Sequence, residues 1–286
     1  MPTVLLATFS LLPDGEYGGD RLVAAVAERG IEGRWVCWDD PSVDWAAADL
    51  VAVRSTWDYH RRLPDFLAWA RAVEATTPVL NGAEVFAWNA DKSYLTELAG
   101  VVRVVPTALL DDTTLVAGLE EAFARWGKVV IKPRVSASGL GLVIAERGHI
   151  EQLQGLLPAP WVIQPLVESV RTRGETSVFV FEGQAVTQVD KRVEGAEVRV
   201  HEVYGGSSAP VALDPERARV AEDAIRVVAE WRGADLAYAR VDLMVWEGEW
   251  VVSELELIEP GLYLDVAPDN ADRFADLLAR RLRRRR

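Results

Sequence analysis

Lys128-Val129-Val130-Ile131-Lys132-Pro133-Arg134-Val135-Ser136-Ala137-Ser138-Gly139-Leu140-Gly141-Leu142 is the stretch on which the reading of this chain turns. An apolar run ends on Lys132 and Pro133. A loop of small residues follows from Ser136 to Gly141, and a second apolar run, Leu142 to Ala145, comes after it. A lysine at a strand end, beside a loop rich in free N–H groups, is a way to hold phosphates. Much further along, Asp242, Glu254 and Glu256 stand on two short alternating strands. Three carboxylates projecting from adjacent strands suit a hard, oxygen-seeking cation such as magnesium. Together these features describe a nucleoside triphosphate held between a mobile lid and a metal floor.

Two other phosphate-binding patterns do not fit. After Gly139 and Gly141, position 144 is Ile144, which breaks Gly-x-Gly-x-x-Gly, and no Gly-Lys-Ser/Thr closes the loop. A dinucleotide-binding dehydrogenase and a P-loop kinase are thereby disfavoured.

The chain has 286 residues and half of them are hydrophobic, which predicts a globular protein of two or three subdomains. A formal charge of −13 argues against nucleic acid as a partner. No apolar run approaches the roughly 20 residues that cross a membrane. Met1-Pro2-Thr3-Val4-Leu5-Leu6 lacks the basic segment of a signal peptide and reads as a first core strand. The single cysteine, Cys37, excludes an intramolecular disulfide and a thiolate cluster. A cytoplasmic location, with no membrane partner, is the default expectation. The arginine run 280–286 reads as a solvated helix end, where cations suit the helix dipole.

Patterning predicts an α/β fold. Strands at 4–8, 33–38, 50–53 and 78–80 alternate with helices at 20–29 and 63–75, which implies a parallel sheet covered on both faces. Ligands on such sheets sit at the carboxyl ends of strands, which points to Arg54, Trp57 and Tyr59 as substrate contacts. A helix opening at Asn89 to Lys92, a strand at 107–110 and a helix at 115–126 lead into the lysine strand. Strands follow at 161–166, 175–181, 184–191 and 199–203, then a helix at 215–231 and the acid-bearing hairpin. The expected division is a parallel α/β domain over 1–88, an α+β lid subdomain over 89–165, and a core with the metal site over 166–286.

The order Lys92, Lys132-Pro133 with Ser136 to Gly141, Gln164-Pro165-Leu166-Val167, Asp242, and Glu254-Leu255-Glu256 resembles the ATP-grasp carboxylate–amine ligases, of which glutathione synthetase is a familiar member. Four segments resemble the branch that contains the cycloserine-forming cyclo-ligase: Arg54 to Tyr59, Trp88 to Leu95, Arg199-Val200-His201 and Gly205-Gly206. The resemblance spans nearly the whole chain. It implies the ATP-grasp fold behind an N-terminal parallel-sheet domain, ATP and Mg2+ as cofactors (with Mn2+ able to take its place), and a small amino-acid-like substrate. The implied reaction converts a carboxylate into an acyl phosphate and forms a C–N bond. Closure within one molecule and joining of two molecules, as in dipeptide or amide synthesis, both stay open. A non-catalytic nucleotide-binding regulator is disfavoured by the intact lysines and acids. A homodimer is the candidate assembly.

Residue by residue, the resemblance makes Lys132 the lid lysine on the phosphates and Lys92 the second lysine, entering from the domain junction. Ser136, Ser138, Gly139 and Gly141 form the lid. Gln164, Pro165, Leu166 and Val167 cross the adenine edge. Glu175 meets the ribose hydroxyls, with Glu168 as the competitor. Asp242, Glu254 and Glu256 are the metal triad, although many relatives carry asparagine in place of Glu256. Arg199 steadies the transferred phosphoryl, beside backbone amides of Gly205 and Gly206. Lys191 and Arg192 are candidates for a substrate carboxylate, with Glu194 and Glu197 as alternative partners. Glu259 is expected on the face opposite the triad. His60, His149 and His201 lack metal-ligand spacing.

Overall fold

The computed structural model describes residues 1–284 other than Ala196; Arg285 and Arg286, the end of the arginine run, lie outside the described residues. Its strands form three sheets. The first is parallel, in the order β2-β1-β3, from β1 (Thr3–Thr8), β2 (Glu32–Cys37) and β3 (Leu50–Ser55). Helices α1 (Gly19–Glu28) and α2 (Leu63–Glu74) lie along the same stretch of chain. Covered strands need apolar residues on both faces, and β1 and β3 accordingly read as runs, not alternation. The strand expected at 78–80 makes a single bridge, Val51 to Val79. Pro78 has no N–H to extend the ladder.

Helices α3 (Ala83–Asn89) and α4 (Tyr94–Leu98) lead to the second sheet. That sheet is antiparallel, in the order β4-β7-β5-β6: β4 (Ala108–Leu110), β5 (Val129–Pro133), β6 (Val143–Ala145) and β7 (Trp161–Pro165). Helix α5 (Leu115–Trp126) seals it, placing Leu119 and Ala122 on Val129, Ile131 and Ile163. Each large aliphatic side chain buried there contributes roughly 2 kcal/mol. The opposite face carries Val130, which packs with Val170, Val198 and Val200, and by alternation Lys132.

The third sheet is antiparallel, in the order β10-β9-β8-β11-β12. Its strands are β8 (Glu175–Phe181), β9 (Gln184–Arg192), β10 (Ser207–Val211), β11 (Tyr238–Trp246) and β12 (Glu249–Glu256). Helix α6 (Pro215–Arg232) covers one face with Ala221, Ala224, Ile225 and Val228, against Val178, Val180, Val241 and Leu243. Its boundaries follow its sequence. Asp214 caps it by accepting from the Glu216 and Arg217 amides, Pro215 sits at the first turn, and Gly233 ends it in the left-handed region.

The strand expected at 199–203 is a loop with a short 3-10 turn at Glu202–Tyr204. Val198 and Val200 do bury on one side, but the chain folds back at once, the Gly206 N–H donating to the His201 carbonyl at 3.3 Å. Helix α4 packs Tyr94, Leu95 and Leu98 on the third sheet, not on the lid. The last helix, α7 (Asp269–Arg283), inserts Phe274, Leu277 and Leu278 against Val4, Leu6 and Leu22 of the first domain. The arginine run is therefore not only a solvated end: Arg280, Arg281 and Arg284 converge on Glu182, and Arg281 is buried. No helix among the described residues is long and apolar enough to cross a membrane.

Candidate active site

Strand alternation builds the floor. In β11, Val241 and Leu243 turn towards α6, so Arg240 and Asp242 face the other way. In β12, Leu255 joins the same apolar cluster, which sends Glu254 and Glu256 to the face of Asp242. Asp242 stands opposite Glu254 in the register, and a bulge follows between Asp242 and Leu243. Bulges re-aim side chains and are frequent beside active sites. Neighbouring strands add Glu175, Ser177 and Lys191 to this face.

Asp242 is fully engaged. It accepts from Arg240 Nε and Nη2 at 3.0 Å each, from Lys191 Nζ at 3.1 Å and from Ser177 Oγ at 2.6 Å. Burial pushes its carboxyl up, but Arg240 and Lys191 overcome this and hold it well below the usual range. Glu175 pairs with Lys191 and Glu256 with Arg240. Burial nonetheless raises Glu175, and raises Glu256 to about 7. Glu254 is lowered against its burial by Lys92, 3.1 Å away, and by Lys132. Glu259 does not take the far face expected of it. It lies beyond the end of β12, buried, and burial with the Glu256 charge raises it well above the carboxylate range.

This all-oxygen acid set suits a hard divalent cation. Among the described residues no three acids or imidazoles close on one point as a finished cage. Arg240, Lys191 and Lys92 stand between them as counter-charges.

The lid faces this floor. Lys92 is buried, not on a helix surface, and its ammonium donates to the Ser136 carbonyl at 2.7 Å as well as to Glu254. The Lys132 ammonium makes no ion pair or hydrogen bond among the described residues; burial lowers it, against the pull of Glu254. Glu254, Glu175 and Asp242 act on it from a distance, without a direct contact. Ser138, Gly139 and Gly141 all have positive φ, at 53°, 68° and 74°. A Cβ on Gly141 would lie 2.5 Å from Leu157 Cδ1, so glycine is required there. Gln164 is buried and donates to Thr107 at 2.9 Å, while the Leu166 amide is spent on the Lys128 carbonyl at 3.0 Å. The Leu166 carbonyl and the Val167 amide take no partner among the described residues.

Other expected contacts fall elsewhere. Arg54 is 0% exposed and cannot touch a substrate in this structure. It pairs with Glu16 at 2.9 Å, donates to the Pro260 carbonyl at 2.5 Å, and lies over the rings of Tyr238 and Phe274. Tyr59 is buried among Phe66, Phe86 and Ile258, though the charges of Glu259, Glu256 and Glu254 reach it. Trp57 is half-buried and borders Gly261. Lys191 and Arg192 do not act as a pair, because alternation sends Lys191 into the acid cluster and Arg192 to solvent. The amides of Gly205 and Gly206 are spent on Glu202 and His201 within their own turn. A Cβ on Gly206 would sit 1.9 Å from the Val200 carbonyl, so this glycine serves loop closure.

Several residues that hold the site were not read as such. Arg240 follows from Asp242 by alternation alone. Asn89 pairs the free edge of β12, donating to the Leu255 carbonyl at 2.9 Å and accepting from the Leu257 amide at 2.8 Å. The Tyr94 hydroxyl accepts from the Leu255 amide at 2.8 Å. Glu16 carries no local signal, because it works through a partner that only the fold supplies, whereas Glu197 pairs with Arg199 only two residues on and not with Lys191 or Arg192.

Two antiparallel sheets closing on a face of acids and lysines, behind a parallel α/β domain, define an ATP-grasp ligase. Residues 4–81 match the family model described as D-cycloserine synthetase DcsG, N-terminal domain. The chain is 31% identical over 290 residues to the cycloserine biosynthesis protein DcsG of Streptomyces lavendulae, covering 94% of this chain and 95% of that protein. It belongs to the DcsG family of ATP-grasp ligases. The crystal structure of D-cycloserine synthetase DcsG superposes with a TM-score of 0.86 at 29% identity, covering 98% of this chain and 99% of that one. D-alanine–D-alanine ligase from Bacillus anthracis shares the fold, with a TM-score of 0.72 at 15% identity, over 100% of this chain and 99% of that one. So does the ATP-grasp ligase PsnB, complexed with its minimal precursor, Mg and ADP, with a TM-score of 0.66 at 18% identity and 98% coverage of both chains.

Proposed function

We propose that this protein is an ADP-forming cyclo-ligase that activates the carboxylate of a small amino-acid-like substrate as an acyl phosphate and closes a C–N bond within that molecule. The observation that carries this reading is the single sheet face bearing Glu175, Asp242, Glu254 and Glu256, set beneath a lid whose Lys132 ammonium makes no direct ion pair among the described residues. Membership of the DcsG family favours cyclisation over intermolecular ligation.

In this reading Lys132 and Lys92 take the phosphates, with the free lid amides over them. The Leu166 carbonyl and Val167 amide read the base. Asp242, Glu254 and Glu256 would hold Mg2+, or Mn2+ in its place. The metal, when bound, neutralises phosphate charge and polarises the transferred phosphoryl. Arg199 steadies that phosphoryl group. The substrate enters from the carboxyl edge of β3, near Trp57 and the Tyr59 hydroxyl.

A screen of amino acids and their derivatives for ADP release, with mass analysis of products, tests the reading. One substrate giving itself minus water establishes cyclisation. A requirement for a second substrate establishes intermolecular ligation. ATP binding without turnover on any amino-acid derivative would overturn both.

The acid cluster also sets a pH dependence. Glu256 and Glu175 are raised in the folded protein, so between the unfolded carboxylate range and about pH 7 the native state binds more protons than the unfolded chain. The stability these two acids contribute therefore falls as pH rises through that window, opposed in part by His60 and His201, which burial lowers. The metal-free protein is expected to melt a few degrees higher at pH 6 than at pH 8. Mg2+ should narrow the gap by raising the pH 8 melting temperature more, and Glu256→Gln should narrow it without metal. Thermal melts at both pH values check this; equal melting temperatures, or a higher one at pH 8, would contradict it.

A further inference from the structure

We propose that Glu197 and Tyr204 are positioning residues that fix the Arg199 guanidinium for the transferred phosphoryl, a role that rests on the function assigned to Arg199 above. The loop between β9 and β10 buries Val198 and Val200 against Val130 and Leu166, and alternation turns Glu197 and Arg199 to the other side. There the two side chains lock together. Arg199 donates from Nε to Glu197 Oε1 at 2.9 Å and from Nη2 to Oε2 at 2.7 Å. The carboxylate is itself anchored, since Oε1 also accepts from the amides of Val198 and Arg199 at 2.9 and 3.0 Å.

Tyr204 completes the clamp. The Arg199 guanidinium carbon lies 3.7 Å from its ring centroid, a stacking distance. The turn at Gly205 and Gly206 fixes that ring's backbone, its N–H groups bonding back to Glu202 and His201. From the lid, Gly139 comes so close that a Cβ there would touch Arg199 Cγ and Cδ at 3.4 Å. Arg199 is thus held by an ion pair on one edge, an aromatic ring on one face and the lid tip along its stem. Nη1 takes no part in the Glu197 pair, and Arg199 and Glu197 together line a cavity with Leu142 and Ile144.

An arginine has many rotamers, and a group that must meet a developing charge acts best when its geometry is set beforehand. The Arg199 hydrogen bonds lower Glu197 to about 2, so the clamp stays ionised at any working pH. The competing idea is that Glu197 parks Arg199 away from the phosphoryl. The two differ in the sign of the effect when the carboxylate is removed.

Binding of Mg2+-loaded AMPPNP and of Mg2+-loaded ADP by calorimetry decides, because their ratio isolates the terminal phosphoryl. Arg199→Ala is expected to reduce the preference for AMPPNP about tenfold. Glu197→Gln and Tyr204→Leu should each reduce it several-fold with ADP affinity near wild type, and should add nothing to Arg199→Ala. Tyr204→Phe, which keeps the ring, should retain the preference. If Arg199→Ala leaves the ratio unchanged, the role given to Arg199 is wrong. If Arg199→Ala lowers it but Glu197→Gln does not, the positioning role is wrong; a higher preference in Glu197→Gln would identify a parking contact. Equal weakening of ADP and AMPPNP would mark the clamp as merely structural. Should Tyr204→Leu fail to fold, Glu197→Gln carries the test alone.

Discussion

Asp242→Asn is expected to reduce ADP release at least about a thousandfold, or ~4 kcal/mol of transition-state stabilisation. Asp242 is the carboxylate on which the floor converges, with both oxygens engaged by Arg240, Lys191 and Ser177. An amide offers one acceptor oxygen and turns its NH2 towards cations. It also removes a charge from the set that would hold Mg2+ beneath the triphosphate. Glu254→Gln should lose turnover to a similar extent for the second reason alone. Its side chain is 32% exposed and its one direct ion-pair partner among the described residues is Lys92, so its melting temperature should stay near wild type, whereas that of Asp242→Asn should fall. Kinetics paired with melts separate the two effects. Near-normal turnover in either folded variant would remove these acids from the proposed metal site.

The acids were legible because a strand needs only its own alternation to declare a face. Leu255 between Glu254 and Glu256 states which way each residue points, and Val241 does the same for Asp242. Arg240 is equally legible by that rule, two residues before Asp242 on the same face. The lysines needed the order of motifs, since nothing local distinguishes buried Lys92 from an exposed helix lysine. Segment 199–203 has a strand's composition, but a strand also needs a neighbour to pair with, and the loop closes on itself instead. Asn89 and Tyr94 finish the β12 edge from far away in sequence, through bonds that no local pattern encodes. The same holds for Glu16, which meets Arg54 only because the loop after β1 comes back to the end of β3.

Arg54→Ala is expected to destabilise the protein by about 3–5 kcal/mol, the cost of leaving a buried charge without its partner. The sequence placed Arg54 at the ligand edge of a parallel sheet, and its backbone is indeed there. Its side chain instead turns into the protein, wholly buried, over Tyr238 and Phe274. Glu16, buried and raised by desolvation against the pull of Arg54, would be left beneath the Pro260–Leu262 loop, where its other oxygen accepts from the Leu262 amide at 2.6 Å. That loop continues directly from the acid strand β12, so the pair fixes the end of the floor. Arg54→Met combined with Glu16→Gln should recover a large part of the loss, because two neutral groups of similar size no longer strand a charge. Urea unfolding of Arg54→Met, Glu16→Gln and their double variant gives the coupling. A loss below about 1 kcal/mol in Arg54→Ala would deny the pair its structural role. A fully stable Arg54→Ala with only a raised Michaelis constant for the carboxylate substrate would return this arginine to the substrate pocket.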